Sequence, residues 1–152
     1  MIDEVDKKIL NELQLNARIT TKELAAKLGL STTPVFERIK KLEKSGIITD
    51  YVALVDNNKL GYELTAFTMV RLDVHSKKMI LEFSQKMSEF NEVVECYHTT
   101  GEGDFLLKVV VKDMNEYYRF VMDQLTQTKD VAHINTSFVL NEIKHTTALI
   151  LT

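Results

Sequence analysis

The chain has 152 residues, of which 45% are apolar and 27% are charged, so it can build one large domain or two small ones around packed cores. Its net charge of −3 excludes a uniformly basic protein, and any affinity for nucleic acid must come from a local patch. The single cysteine, Cys96, excludes an intrachain disulfide and is typical of a reducing cytosol, where we expect the protein. The acidic N-terminal sequence does not resemble a signal peptide, and no apolar run reaches the ~20 residues of a membrane span.

The first third of the chain predicts three short helices joined by tight turns. Asp3 is placed to cap the first helix, and Thr20 and Glu23 have the capping-box spacing at the start of the second. Gly29 follows the last apolar position of the second helix, where a left-handed glycine commonly ends a helix, and Ser31 is the next N-cap. The apolar residues at helical spacing are Val5, Ile9, Leu10 and Leu13, then Leu24, Ala25 and Leu28, then Val35, Ile39 and Leu42.

Two helices around a glycine-containing turn, preceded by a third helix, indicate a winged-helix-like helix-turn-helix that binds double-stranded DNA. The third helix has small polar residues near its start, which suit base edges, and lysines further along, which suit phosphates. The predicted DNA-binding residues are Ser31, Thr32, Thr33, Glu37, Arg38, Lys40, Lys41 and Lys44. Arg38 lies nearest the apolar face, where it could instead pair with a carboxylate. A solvated, charged helix face is the structural alternative for the whole pattern.

Charge and residue type both change near residue 50. Residues 1–50 have nine Lys or Arg against eight Asp or Glu, whereas the remainder has ten against fourteen, so the basic patch must lie in the first part. After Gly46, β-branched and aromatic residues predict a strand over residues 47–55, followed by a turn. The predicted organisation is a helix-turn-helix domain over residues 1–50, a linker strand and turn over 51–61, and a second domain over 62–152.

The second domain is predicted to be an α+β, ferredoxin-like antiparallel sheet with the order βαββαβ. Its predicted elements are a strand over 64–74, a helix capped by Ser76, strands over 93–99 and 105–111, a helix opened by Asp113 and Glu116, and a strand over 131–143. Two helices can cover only one face of such a sheet. An open apolar face usually marks an interface, so we expect the chain to self-associate.

The loop Thr100–Asp104, between the two strands of the predicted hairpin, is the most distinctive short segment of this domain. Gly101 and Gly103 are expected in any tight hairpin, and Asp104 can close such a turn with its own side chain. Glycine amides could also approach a ligand carboxylate while the aspartate pairs with its ammonium, but the spacing alone does not separate the two interpretations. The histidines show no metal-ligand spacing and no catalytic motif is visible, so we expect no metal, no cofactor and no enzymatic activity.

Together these motifs resemble the Lrp/AsnC family, the feast/famine transcriptional regulators of bacteria and archaea. The segments that carry the resemblance are Asp6–Arg18, Leu30–Ile48, Thr100–Phe105, Ser137–Leu140 and Lys144–Thr147. The first two are similar to the family's first helix and recognition helix, the third to its Gly-x-x-Asp hairpin, and the last two to its closing strand and tail. Ile150 departs from the family, which commonly has proline there. The resemblance covers nearly the whole chain.

The resemblance implies a sequence-specific DNA-binding regulator whose assembly or DNA affinity is modulated by a small amino acid. It implies a homodimer that assembles further, commonly to an octamer, with the amino acid bound between subunits near the Gly-x-x-Asp loop. The candidate effector-binding residues are Tyr97, His98, Thr99, Thr100, Gly101, Gly103, Asp104, Thr136 and Ser137. In this assignment, Asp104 pairs with the ammonium of the amino acid and the glycine amides bind its carboxylate.

Two other functions remain open from the sequence. Sirohaem decarboxylases resemble the same two-part architecture, so architecture alone does not exclude an enzyme. The chain could also be an architectural DNA-binding protein whose sheet domain serves only for oligomerisation. A bound tetrapyrrole would favour the first alternative, and DNA binding without any amino-acid binding would favour the second.

Overall fold

The computed structural model describes residues 2–152, which fold into two compact units. The first unit runs to Leu54 and also contains the segment Ile143–Thr152, while the second unit comprises Val55–Glu142. The chain therefore crosses between the units twice. No helix among the described residues is both long and apolar enough to cross a lipid bilayer.

Three helices make up most of the first unit: α1 (Glu4–Leu15), α2 (Thr21–Leu28) and α3 (Thr32–Lys44). The predicted caps of α1 and α2 are both confirmed as capping boxes. The Asp3 carboxylate accepts from the Asp6 N–H at 2.8 Å, and the Asp6 carboxylate accepts from the Asp3 N–H at 3.1 Å. Thr20 and Glu23 make the equivalent pair at the start of α2. Each box satisfies two amides that the helix itself leaves unpaired.

The turn between α2 and α3 is built on Gly29, whose φ of 67° lies in the left-handed region that favours glycine. The amides of Gly29 and Leu30 close onto carbonyls of α2, at 3.2 and 2.9 Å. Ser31 occupies the N-cap of α3 as predicted, but its hydroxyl makes no capping hydrogen bond. Pro34 lies in the first turn of α3, where its missing N–H costs little.

The inner faces of the three helices form a single apolar core, which confirms the predicted helical faces. The buried members of this core are Ile9, Leu10, Leu13, Leu24, Ala25, Val35, Ile39 and Leu42. These residues come from all three helices, so the unit's stability depends on their mutual packing rather than on any one helix. The outer face of α3 is thereby left in solvent.

The predicted strand over residues 47–55 is wrong for this chain, because the structure has no strand there. Val52, Leu54 and Val55 instead lie in irregular backbone with their side chains mostly exposed. β-branched residues form a strand only where a neighbouring strand supplies hydrogen-bonding partners, and no strand lies beside this segment among the described residues.

The second unit contains four strands and two helices in the predicted βαββαβ order, and its fold is confirmed as ferredoxin-like. The elements are β1 (Leu64–Leu72), α4 (Lys77–Glu89), β2 (Val93–His98), β3 (Phe105–Val111), α5 (Met114–Arg119), a π-helical continuation of α5 (Phe120–Leu125) and β4 (Val131–Phe138). All neighbouring strands are antiparallel, in the spatial order β2-β3-β1-β4. The strands β2 and β4 therefore form the two edges of the sheet.

The last strand is five residues shorter than predicted. It pairs with β1 up to Phe138, opposite Ala66, and one further backbone bond joins the Val139 amide to the Thr65 carbonyl at 2.9 Å. Because β1 begins at Leu64, the residues that follow Leu140 have no partner strand. The chain instead returns to the first unit.

Both helices of the second unit cover the same face of the sheet. The core between the sheet and these helices consists of Ala66, Val70, Leu72, Phe83, Met87, Phe105, Leu107, Val109, Val111, Tyr117, Phe120 and Leu125. One polar group is enclosed with this core: the Tyr117 hydroxyl lies 3.0 Å from the Thr68 hydroxyl and 2.5 Å from the Thr136 hydroxyl. These three hydroxyls satisfy one another, which is what buried polar groups require.

The other face of the sheet has no helix over it, as the sequence predicts. Cross-strand neighbours form two rows there, Glu95–Lys108–Phe67–Ser137 and Tyr97–Leu106–Met69–Asn135. Phe67 is 38% exposed and Tyr97 is 51% exposed, so large apolar surfaces lie in solvent at the middle and at the edge of this face. We call this surface, defined by the two rows, the open sheet face.

Candidate functional site

The outer face of α3 presents a mostly polar and basic surface. Its exposed residues are Ser31, Thr32, Thr33, Phe36, Glu37, Lys40, Lys41 and Lys44. All but Phe36 belong to the predicted DNA-binding set, and they are distributed along the exposed face of α3 from its N-cap to its last turn. Because the Ser31 hydroxyl is not used by the helix cap, it is available to an external acceptor.

The lysines on this face differ in their partners. Lys40 pairs with Glu43 at 2.7 Å and lies over the Phe36 ring, 5.8 Å from its centroid. This pairing, followed by the Tyr51 hydroxyl, lowers the pKa of the Glu43 carboxyl below its usual value although burial opposes it. Lys41 and Lys44 have no acidic partner within 4 Å among residues 2–152, so their charges are the ones free to meet a phosphate.

Arg38 is held by the carboxylates at the start of α1. Its guanidinium lies 2.7 Å from Asp6 and 2.6 Å from Asp3, and Asp6 itself is almost fully buried. These hydrogen bonds, that to Asp6 first, raise the pKa of Arg38. Of the predicted DNA-binding residues, Arg38 is therefore the one that the structure assigns to packing between helices. This is the carboxylate pairing that its place on the helical wheel left open.

The Asp3 carboxyl has a lowered pKa, caused first by the backbone N–H of Asp6 and then by the Arg38 guanidinium. A carboxyl whose pKa is lower in the folded state stabilises the fold above its unfolded pKa and loses that contribution as the pH falls through the folded pKa. Replacing Asp3 by asparagine, which still caps a helix, should lower the melting temperature at pH 7. As the pH falls below about 4, the gap in melting temperature between the wild type and Asp3→Asn should shrink. A melting-temperature gap that stays constant from pH 7 to pH 2.5 would contradict this assignment.

The predicted effector loop folds against strand β1. Gly103 is buried, and a Cβ atom there would lie 2.3 Å from Met69 Cγ, so a larger residue fits only if the Met69 side chain moves. Gly101 has a φ of 117°, which also favours glycine. The Asp104 amide donates to the Val70 carbonyl at 2.9 Å, which extends the ladder between β3 and β1 into the loop.

The Asp104 carboxylate lies at the base of the loop and already has two partners. Its Oδ2 accepts from the Leu72 N–H at 2.8 Å, and the His75 Nε2 lies 2.9 Å from Oδ1. The carboxylate is mostly buried, whereas His75 is half exposed. A carboxylate has about four acceptor positions, so Asp104 retains capacity for an ammonium group beside its backbone partner. Nothing in the sequence predicted the His75 contact, because it joins residues far apart in the chain.

Only part of the predicted effector set is brought together. Tyr97, on β2, lies on the open sheet face, where its hydroxyl donates to Glu95 at 2.8 Å. This bond raises the pKa of the Tyr97 phenol. The next residue, His98, faces the opposite side and packs against Phe105, with the two rings tilted by 37° and their centroids 5.1 Å apart. Thr99 stays with the loop, donating its hydroxyl to the Gly103 carbonyl at 3.2 Å.

Thr136 and Ser137 lie away from the loop, near the C-terminal end of the opposite edge strand β4. The Thr136 hydroxyl is bound to Tyr117 under helix α5, and Ser137 lies opposite Phe67 on the open sheet face. Within one chain, neither residue is placed to meet a ligand held by Asp104. Successive side chains of a strand point to opposite faces of the sheet, so Thr136 and Ser137 cannot both face the same ligand from one strand.

An additional cleft of about 330 Å³ lies between α4 and the edge strand β2. Its lining residues are Ser84, Met87, Ser88, Val93, Val94, Glu95, Cys96, His98 and Phe105. Burial raises the pKa of the Cys96 thiol, which disfavours a reactive thiolate there. Among residues 2–152 there is no group of three or more His, Cys, Asp or Glu that could hold a metal ion.

Comparison with known proteins decides the family. Residues 65–149 match the Lrp/AsnC ligand binding domain, and residues 2–49 match a winged helix-turn-helix DNA-binding domain. The first match alone covers more than half of the chain. The chain belongs to the Lrp/AsnC family. Its two units therefore correspond to the DNA-binding and ligand-binding domains of an Lrp/AsnC protein.

Curated relatives of this Lrp/AsnC protein are named as regulators of transcription. The transcriptional regulator AzlB of Bacillus subtilis is 38% identical over 149 residues, which are 98% of this chain and 95% of the relative. The leucine-responsive regulatory protein of Rhizobium meliloti is 38% identical over 143 residues, covering 94% of this chain and 92% of the relative. Both matches extend over the helix-turn-helix and the sheet unit.

Solved structures confirm the fold. A transcriptional regulator of Neisseria meningitidis, crystallised as its complex with L-Met, has a TM-score of 0.93 and 39% identity, and the match covers 98% of this chain and 96% of that one. An AsnC family transcriptional regulator from Agrobacterium tumefaciens has the same TM-score and identity, with 97% and 96% coverage. The Lrp/AsnC fold, a helix-turn-helix followed by a four-stranded antiparallel sheet, is thus shared along the whole chain.

Proposed function

We propose that this Lrp/AsnC protein is a transcriptional regulator that binds double-stranded DNA and responds to a free amino acid. The observation that carries the proposal is the outer face of α3, where Lys41 and Lys44 lack acidic partners within a domain that matches DNA-binding helix-turn-helix domains. A helix with free cations at its far end and exposed hydroxyls at its start suits a major groove bordered by phosphates.

The DNA contacts follow from this geometry. Lys40, Lys41 and Lys44 contact phosphates, while Thr32 and Thr33 reach base edges from the start of α3. Two copies in a dimer would reach half-sites about 34–36 Å apart, one turn of the double helix. Arg38 supports α3 from behind through its carboxylate pairs and does not read bases.

The effector site is proposed at the loop Thr100–Asp104. An α-amino acid carries an anion and a cation on one carbon, so its site needs N–H donors and a carboxylate side by side. Gly101 exposes its backbone, and Asp104 supplies the carboxylate. The L-Met complex of the Neisseria meningitidis relative supports an amino acid as the ligand class. His75, which contacts Asp104 in the free protein, would be displaced or would share the carboxylate with the ammonium.

The role is regulatory rather than enzymatic. The curated relatives are named as regulators of transcription, and this supports a protein that binds its amino acid without converting it. The purified protein should show no tetrapyrrole absorption and no turnover of sirohaem. The architectural alternative differs in one measurable respect, because such a protein would bind DNA but no amino acid.

Assembly through the open sheet face is the third part of the proposal. Pairing two such faces in a homodimer would bury Phe67 and its row, and further contacts between dimers would build a larger oligomer such as an octamer. The linker residues, whose apolar side chains are exposed in the single chain, would then find partners of their own. An effector bound between subunits would change affinity for DNA by favouring one assembly over another.

Replacing Phe67 by glutamate should break the dimer. A charge in the centre of a packed interface loses its hydration, and a central aromatic typically contributes enough that its loss weakens association about thirtyfold or more. Leu81→Glu is the matched control, since Leu81 is equally apolar and more exposed but lies on α4, away from the open sheet face. Sedimentation velocity at micromolar concentration should show monomer for Phe67→Glu only. A dimer of unchanged affinity in that variant would exclude this face.

A thermal-shift screen of the twenty amino acids tests the proposed function. A ligand that binds only the folded state raises stability by RT ln(1 + [L]/Kd), which is about 2.7 kcal/mol at a hundredfold excess over Kd. We expect a small group of chemically similar amino acids to raise the melting temperature and the others to have no effect. No shift with any of the twenty would exclude the effector and favour the architectural alternative.

A further inference from the structure

Two carboxamides on α1 hold the backbone near the end of the chain. Asn11 accepts from the Leu151 N–H and donates to the Leu151 carbonyl, both at 2.9 Å. Gln14 repeats the pattern on Leu149, accepting from its N–H at 2.7 Å and donating to its carbonyl at 2.9 Å. Each side-chain amide thus satisfies both polar groups of one residue, which is the bonding that a neighbouring strand would otherwise provide.

Lys7 extends the same line of contacts. Its Nζ donates to the main-chain oxygen of Thr152 at 2.8 Å. Lys7, Asn11 and Gln14 are spaced i, i+4 and i+7, so they lie along one face of α1. Five hydrogen bonds run from this helix face to main-chain groups of Leu149, Leu151 and Thr152, and none of the predicted functions uses them.

The site recognises backbone more than side chains. Leu149 is 71% exposed and Ile150 is 81% exposed, whereas Leu151 packs against the apolar core of the first unit. The Ile150 N–H makes no hydrogen bond to any described residue. Recognition therefore depends on the polar groups of Leu149 and Leu151 together with one apolar anchor, as in recognition of a peptide by strand addition.

Residues 149–152 lie where the chain has returned from the second unit to the first. Residues 149–152 follow β4 of the second unit but bind α1 of the first. A single flexible linker leaves two domains free to reorient, whereas a second connection closes a loop and reduces the orientations available. The contacts on α1 fix the end of that second connection to the first unit.

We propose that Lys7, Asn11 and Gln14 form a latch for residues 149–152 of the same chain, and that this latch couples the amino-acid site to the DNA-binding helices. The inference rests on the proposed function, because it assigns the route by which an amino acid changes DNA affinity. A ligand in one unit alters binding by the other only if some contact between them differs in the bound and free states. The latch fastens, within the first unit, a segment of chain that follows directly after the second unit.

The latch is tested without DNA or effector, by amide hydrogen exchange in the full chain. The Leu149 and Leu151 amides should exchange at least about tenfold more slowly than the Ile150 amide between them. Gln14→Met keeps the length of the side chain and its helix propensity but removes both polar groups, so it should abolish the protection of Leu149. Equal exchange at all three amides in the wild type would overturn the latch.

A matched pair of proline variants tests the coupling. Leu149→Pro removes the N–H that donates a hydrogen bond to the Gln14 side-chain oxygen. Ile150→Pro removes an N–H that donates to no described residue. The measured quantity is the ratio of DNA dissociation constants with and without saturating amino acid, using the best ligand of the screen. This ratio should be at least about fivefold in the wild type and in Ile150→Pro, and below about twofold in Leu149→Pro.

The two failures are distinguishable. Amino-acid affinity measured without DNA should stay within about twofold of wild type in both proline variants, because the latch lies outside the effector loop. A wild-type ratio in Leu149→Pro would overturn the coupling role. A wild type that binds no DNA or no amino acid would instead overturn the proposed function, and hydrogen exchange would still report whether the latch forms.

Discussion

Replacing Lys41 and Lys44 together by alanine should weaken DNA binding about a hundredfold and reduce the salt dependence by about two units per recognition helix. Both side chains are exposed on α3 and lack acidic partners among residues 2–152, so in the complex their charges are available to displace counterions from phosphates. Each phosphate contact of this kind contributes about 0.9 to the slope of log K against log salt. The loss should be similar for all DNA sequences, because phosphates carry no sequence information.

Two control variants separate this effect from the loss of net charge. Lys77→Ala removes an exposed lysine from α4, in the second unit, and should leave both affinity and slope unchanged. Lys40→Ala should have a smaller effect than either free lysine, because Lys40 already pairs with Glu43. Fluorescence anisotropy at several salt concentrations measures the wild type, the double variant, the single variants Lys41→Ala and Lys44→Ala, and the two controls. If the double variant has the wild-type slope, this face of α3 does not contact DNA.

Replacing Asp104 by asparagine should abolish amino-acid binding, with a loss of affinity of at least about a hundredfold. The asparagine oxygen can still accept from the Leu72 N–H, so the loop keeps its backbone support, but the negative charge that would pair with the ammonium is gone. Removing one partner of a buried charge pair leaves the other uncompensated, which is why the expected loss is large. Asp104→Ala should lose binding equally and should also weaken the loop.

Glu102→Gln is the matched control for Asp104→Asn. Glu102 lies on the same loop and carries the same charge, but it is exposed, so a ligand that enters beside Asp104 gains little from it. Calorimetric titration should give an amino-acid affinity for Glu102→Gln within about twofold of wild type. Sizing and DNA binding without effector should be normal in both variants. Wild-type affinity in Asp104→Asn would remove Asp104 as the ammonium partner.

The parts of the fold that depend on neighbouring residues were predictable from sequence. Caps such as Asp3 and Thr20 bind amides three residues away, and glycine at position 29 is favoured by the backbone angle itself. The apolar spacing of the helices and the alternation within β1 and β3 follow from the same local geometry. The order βαββαβ then restricts the topology to a few arrangements, of which the ferredoxin-like sheet is the common one.

The parts that depend on distant partners were not predictable. Residues 47–55 have strand-forming side chains, but whether they form a strand depends on another segment or another chain to pair with. The contact of Gln14 with Leu149 joins residues 135 positions apart, and the contact of Asp104 with His75 links a hairpin loop to the residues after β1. Polar residues at these positions are equally compatible with a solvated surface, so the sequence alone favours no contact.

The central claim is that one chain binds DNA and that an amino acid changes this binding. The most direct test titrates the wild-type protein onto DNA duplexes that it has itself selected from a random pool, with and without a saturating amino acid from the thermal-shift screen. We expect tight, salt-dependent binding and a change of at least about fivefold in the dissociation constant on adding the amino acid. A dissociation constant that stays the same at saturating amino acid, or no preference for the selected duplexes over random DNA, would contradict it.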